Sequence, residues 1–174
     1  ALHVFAEEGY HSASISKVSK QAGVSKGLMY NYFESKQELL KTLLHEIMDK
    51  QFEYARELME KGVSDETIIQ LIDHTVELLK EDPKHWKLYF LMAVQPDVFA
   101  IIMEDRKEEM AAYMSKYVEY FQRNYPDKAQ AMMYYFSSSF SGIRMNFVMN
   151  PDTYPLDDVK ELLIAQFVHG QQTD

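Results

Sequence analysis

Ser14-Ile15-Ser16-Lys17-Val18-Ser19-Lys20-Gln21-Ala22-Gly23-Val24-Ser25-Lys26-Gly27-Leu28-Met29-Tyr30-Asn31-Tyr32-Phe33 reads as two short helices joined by a tight turn. Ser14 suits an N-cap, because its hydroxyl can accept an early backbone N–H of a helix covering 15–22. Gly23 follows and can take the left-handed conformation of such a turn; a side chain there would also crowd the paired helices. Ser25 caps the second helix, which runs to about Phe33. Ile15 and Val18 face inward from the first helix, and Val24, Leu28 or Met29, and Phe33 close a small core. This is a helix-turn-helix pattern, whose second helix lies in the major groove of DNA. Gly27 puts no bulk at the leading end of that helix, and Lys26 puts a cation there.

Working outward, helical spacing continues on both sides. A first helix covers roughly 1–8, with Leu2 and Phe5 on one side and Gly9 ending it. Ser35 with Glu38 three residues later forms a capping box that opens a long helix to about Glu60. Gly62-Val63-Ser64-Asp65 is a break. Helices are expected over 65–80, over 83–95 with Pro96 ending it, over 98–124 with Pro126 stopping it, over 127–149 and over 156–169. No alternating strand pattern with a hairpin signal interrupts them. The expected fold is all-α with about nine helices. A head over 1–44 carries DNA binding and a body over 45–174 carries ligand binding and dimerisation. The chain opens mid-pattern without a methionine, which points to further residues upstream.

Charge is divided along the chain. Between Tyr10 and Leu44, five lysines against two glutamates leave +3, whereas residues 51–174 carry −9. A basic head on an acidic body lets phosphates attract the head alone. There is no cysteine, which removes disulfides and thiolate chemistry and fits a reducing, cytoplasmic setting. No apolar run is long enough to span a bilayer, so no membrane partner is expected. Neither a signal peptide nor a metal-ligand spacing around His74 or His85 is visible, and no cofactor is expected.

Gly9-Tyr10, Ser14-Ile15, Val18, Ala22-Gly23-Val24-Ser25, Gly27, Tyr30, Tyr32-Phe33 and Ser35-Lys36 with Leu39 together resemble the tetracycline-repressor (TetR/AcrR) family over about residues 4–44. Lys17, Ser19 and Tyr32 depart from residues frequent in that family. The resemblance implies a repressor that binds double-stranded, palindromic operator DNA as a homodimer and is released by a small-molecule effector. It implies that Lys36 contacts a phosphate together with backbone N–H groups of its helix. Ser14, Tyr30 and Tyr32 can add hydrogen bonds to phosphates, and Ser25 and Gly27 complete the set expected at the DNA. Lys26, Leu28 and Asn31 are candidates for base edges, through guanine acceptors, a thymine methyl and adenine respectively.

The body is rich in adaptable side chains, the whole chain having 11 Met, 12 Tyr and 10 Phe. Met103, Arg106, Met110, Tyr113 or Met114, Tyr117 and Phe121 recur at helical spacing and share a face. That stripe is either core or the wall of a lipophilic pocket, to which His74, Trp86 and Tyr89 can add. Arg106, if it faces inward, needs an acidic ligand or a protein carboxylate; otherwise its stem packs while its head reaches water or a nearby Asp or Glu. Ser138, Ser141, Gly142 and Met145 put small or flexible side chains on one face of their helix. Val159, Leu163 and Phe167 belong to a last helix that is apolar on more than one face. These residues make a candidate dimer interface, with an intramolecular C-terminal helix as the alternative.

An enzyme and a pure helical scaffold are the rival classes. No nucleophile elbow, phosphate-binding glycine loop or His-Glu-x-x-His pattern is present. A scaffold would not need the ordered helix-turn-helix residues.

Overall fold

The computed structural model describes residues 1–60, 62–168 and 170, with the side chains of 50 and 51 left out. Among these there are nine helices and no strand. The chain falls into two compact units, Ala1–Lys50 with His85–Lys107, and Gln51–Lys84 with Glu108–Asp174.

The first unit contains α1 (Leu2–Glu8), α2 (Ile15–Ala22) and α3 (Lys26–Tyr32), and the start of α4 (Lys36–Glu60). Each cap anticipated from the sequence forms. Ser14 Oγ accepts from Lys17 N at 3.3 Å, and Ser25 Oγ accepts from Leu28 N at 3.0 Å. Ser35 Oγ accepts from Glu38 N at 3.0 Å. The Glu38 carboxylate reaches one residue beyond the usual capping box and accepts from Glu34 N at 2.5 Å. Gly23 adopts φ +71° and its N–H closes the turn on Lys20 O. A Cβ there would meet nothing within 4 Å, so crowding is not the reason for glycine; the left-handed backbone is. Phe5, Val18, Leu40 and Leu44 are sealed in the core of this unit, with Ile15 and Leu39 beside them.

From its second segment the unit also takes most of α6 (Pro83–Ala93) and the start of α7 (Pro96–Gln122). Pro96 was expected to end a helix. Instead α6 stops at Ala93 and Pro96 opens α7, a first-turn position where a missing N–H costs no helical hydrogen bond. Correspondingly α7 begins and ends two residues earlier than its apolar spacing predicts.

The second unit holds the end of α4, α5 (Asp65–Glu81), the rest of α7, α8 (Ala129–Met149) and α9 (Leu156–Phe167). Ser64 caps α5 by accepting from Thr67 N at 3.2 Å. Ile68, Ile72, Val76 and Leu79 of α5 pack inward at the predicted spacing. The core is strongly aromatic. Phe136 lies 6.0 Å from Phe121 and 5.4 Å from Phe167, ring centre to ring centre, and 5.7 Å from Tyr117. Among the described residues no single helix is long and apolar enough to cross a membrane.

Candidate functional site

No residue of α3 is buried. Leu28 is 42% exposed, Tyr30 48% and Tyr32 72%, an unusual density of large side chains in water on one short helix. Lys26, Gly27 and Asn31 are exposed with them. The Lys26 ammonium stands 5.8 Å from the centre of the Tyr30 ring. A Cβ on Gly27 would have Ser25 Oγ as its nearest neighbour, at 4.0 Å, so the leading end of α3 is open. Of the two residues offered for the small core, Leu28 points out; Met29 is half-buried, as is Phe33.

Lys36 is placed differently from the expectation. Its ammonium donates to the carbonyls of Tyr10 (2.8 Å), His11 (3.1 Å) and Ala13 (3.0 Å) and lies 4.6 Å from the centre of the Tyr10 ring. All three of its N–H donors are engaged there, leaving none for a phosphate. The role that fits is to tie the Tyr10–Ala13 connection onto the start of α4 and so hold α2 in place. Two other head lysines are also spent: Lys17 pairs with Glu8 at 2.8 Å, and Lys41 with Glu104 at 2.9 Å and Asp105 at 3.0 Å. Hydrogen bonding to Glu104, then to Asp105, raises the pKa of Lys41. The head cations left for phosphates are Lys26 and Lys20, and Lys20, exposed in the last turn of α2, was not singled out from the sequence.

Residues 85–107 hold the rest of the first unit at several points. Gln95 Oε1 accepts from Tyr10 N at 3.3 Å, and Asp97 meets the His11 ring at 2.5 Å. Burial, then the nearby Asp97, raises the Tyr10 pKa. Arg106 is buried and pairs with Asp49 of α4. Its charge is therefore met by a protein carboxylate, and it does not require an acidic ligand. Trp86 packs edge-on against Tyr89 at 5.7 Å, and Met103 is half-buried.

The remaining candidate ligand residues belong to the second unit. Tyr113 stacks on Phe52 at 5.3 Å and donates to Phe52 O at 3.3 Å. Its pKa is raised, first by burial and then by Glu109. Phe121 has no exposure and sits among Tyr120, Phe136 and Phe167, so it is core rather than pocket wall. Met110 is half-buried. The Tyr117 phenol is pushed up to about 12, chiefly by burial; the charge of Arg144 works against that rise and Tyr113 adds to it. Arg144 was missed from the sequence, although it is the only charged residue of α8, a solitary charge in an apolar helix. Its guanidinium donates to Ser141 Oγ at 3.0 Å and lies 4.9 Å from the Phe140 ring centre. His74 packs against Tyr54, with ring centres 3.9 Å apart.

The candidate interface residues separate into two groups. Leu163 and Phe167 are buried within the chain itself, Phe167 against Phe121, Phe136 and Tyr135, so they are not available to a partner. Ser138 is exposed, and Ser141, Gly142, Met145 and Val159 are half-buried. A Cβ on Gly142 would meet nothing within 4 Å. The apolar side chains left in water on these helices are Tyr134, Tyr135 and Leu162, at 57%, 54% and 68% exposure.

Residues 1–43 match the family model of bacterial regulatory proteins, tetR family. The fatty acid metabolism regulator protein of Bacillus subtilis (strain 168) is 39% identical over 83 residues, covering 47% of this chain and 43% of that protein. The transcriptional activator FasR of Mycolicibacterium smegmatis is 26% identical over 91 residues, covering 52% and 42%. Over residues 1–43 the chain is therefore similar to the tetR family of bacterial regulatory proteins. The sequence match thus spans under half the length of these curated relatives. The fold is shared over nearly the whole chain. The transcriptional regulator FadR from Bacillus subtilis in complex with stearoyl-CoA superposes with a TM-score of 0.72 at 22% identity, covering 98% of this chain and 95% of that one. FadR from Bacillus halodurans does so at 0.73 and 22%, covering 99% and 93%.

Proposed function

We propose that this chain is a cytoplasmic transcriptional repressor of the tetR family that binds palindromic operator DNA as a homodimer and is released by a lipophilic effector, a long-chain acyl-CoA. The observation that carries DNA binding is α3, which buries none of its residues and offers Lys26, Gly27, Leu28, Tyr30, Asn31 and Tyr32 outward. Such a helix contributes little to its own unit's core and suits insertion in a major groove. Ser14 and Ser25, both spent as caps, keep a hydroxyl hydrogen for a phosphate. Residues 1–44 serve as the DNA-binding domain and 45–174 as the ligand-binding and dimerisation domain. The dimer face is Tyr134, Ser138, Gly142 and Leu162, which are spaced along α8 and α9 and exposed or open in the single chain. The acyl-CoA reading is supported by the resemblance to a fatty acid metabolism regulator and by a second unit rich in rings and methionines. Release follows by linkage: an effector that favours a dimer with wrongly spaced heads must weaken DNA binding.

The test begins with selection of a binding site from random duplex DNA, followed by titration with palmitoyl-CoA. A palindromic site bound by a dimer and released by palmitoyl-CoA is expected. A protein sedimenting as a monomer at micromolar concentration, or a selection without enrichment, overturns the reading. Gly142→Trp should yield monomers that bind the selected site poorly.

A further inference from the structure

In the middle of α5 three polar side chains follow almost in sequence, and two of them are satisfied. Asp73 accepts from the Lys160 ammonium at 2.6 Å, and Thr75 Oγ1 donates to Leu71 O at 2.8 Å. Between them, His74 Nε2 is closed off from solvent and has no hydrogen-bond partner. The ring is held against Tyr54 of α4, 3.9 Å between centres. A nitrogen shut away from water without a partner destabilises a folded chain, and its hydrogen-bonding capacity stays available to whatever arrives. Phenylalanine or leucine would fill the same space without that cost. The surroundings are not closed over: Tyr54 is half-buried, and so are Gln70 and Leu78, one turn to either side on the same face of α5.

We infer that His74 Nε2 is the polar anchor of the effector site, hydrogen-bonding the carbonyl oxygen at the head of an acyl chain. This rests on the reading of residues 45–174 as an acyl-binding body. A carbonyl oxygen only accepts, so the imidazole binds it as the tautomer with hydrogen on Nε2. The close, tilted contact with Tyr54, 32° between ring planes, restricts the direction in which that hydrogen points. A free fatty acid, as a carboxylate, and an acyl-CoA, as a thioester, share an oxygen acceptor at the end of a long alkyl chain.

The experiment measures binding of three probes to the full chain: palmitoyl-CoA, S-hexadecyl-CoA, which is the thioether without the carbonyl, and palmitate. The unaltered protein should prefer palmitoyl-CoA to S-hexadecyl-CoA by about tenfold, the worth of one buried hydrogen bond. His74→Phe keeps a ring against Tyr54 and should bind both CoA compounds equally. It should also match or exceed the unaltered protein in thermal stability without ligand, since an unsatisfied nitrogen is gone. His74→Gln, which restores a donor, should recover part of the preference. Palmitate binding that falls in His74→Phe supports the same contact with the free acid as source. The inference is overturned if the unaltered protein fails to distinguish the two CoA compounds, or if His74→Phe keeps the preference. The parent reading fails in a different way: none of the three probes binds any variant, and this inference falls with it.

Discussion

The head and the middle of the second unit treat polar groups in opposite ways. In the head, polar side chains are spent on backbone groups: Ser14, Ser25 and Ser35 on the starts of their own helices, Lys36 on three carbonyls distant in sequence. The result is a small unit whose most exposed helix, α3, is held by its frame rather than by its own burial. In the second unit the space is filled by rings, and one ring nitrogen, His74 Nε2, is left with no partner. A surface that reads a stiff partner such as duplex DNA gains from a frame fixed beforehand. A site for a flexible alkyl chain gains from walls that can shift and from a polar atom waiting to be matched.

The comparison is tested most strongly at Phe136. It is 4% exposed and meets the rings of Tyr117, Phe121, Phe140 and Phe167. Phe136→Ala should cost about 3–5 kcal/mol of stability in denaturant unfolding, as for a large ring removed from a tight core. A much smaller loss would mean that the rings close up around the gap, and that this part of the unit is itself the adaptable wall.

Next in size is Lys36→Met, which keeps the stem and removes the charge. Three donations from an ammonium to carbonyls are lost, and partial access of water softens the effect to about 2–3 kcal/mol. Thermal unfolding should show that loss, while the slope of DNA affinity against salt stays as it was. Unchanged stability with a slope lower by about 0.9 would instead make Lys36 a phosphate contact.

That variant also marks where the sequence was legible. Most of the local chemistry, in which a residue acts on its neighbours in the chain, is legible in the sequence. Ser14, Ser25 and Ser35 cap their helices, Gly23 turns left-handed, and the apolar spacing of α5 faces inward, although Ser64, read only as part of a break, proves to be the cap of α5. What failed were partners distant in sequence. Nothing near Lys36 announces that its ammonium will find carbonyls 23 to 26 residues away. Arg106 shows the same limit: the spacing put it on an inward face, but Asp49, 57 residues earlier, is visible as its partner only in the fold. Helical periodicity marked Leu163 and Phe167 as apolar without telling a core from an interface, because both are faces hidden from water. Pro96 was misplaced because proline is tolerated in a first turn as readily as it ends a preceding helix.

The smallest expected effect separates two lysines three residues apart on α2. Both contribute to the +3 charge between Tyr10 and Leu44, and they lie on the same short helix. In the fold Lys17 lies 2.8 Å from Glu8, whereas Lys20 is exposed in the last turn of the helix. A cation already neutralised by a carboxylate displaces little of the counterion atmosphere of DNA when it approaches; an unpaired one displaces its full share. On duplex DNA of mixed sequence, Lys20→Ala should therefore lower the slope of log affinity against log salt by about 0.9. Over a fourfold change in salt that slope is about a threefold change in affinity, within reach of an anisotropy titration. Lys17→Ala should leave the slope close to that of the unaltered protein. Glu8→Gln frees Lys17 without removing it and should steepen the slope, moving in the opposite direction from Lys20→Ala. If Lys17→Ala and Lys20→Ala lower the slope equally, the Lys17–Glu8 pair opens when DNA arrives, and the head is less fixed beforehand than its hydrogen bonds imply.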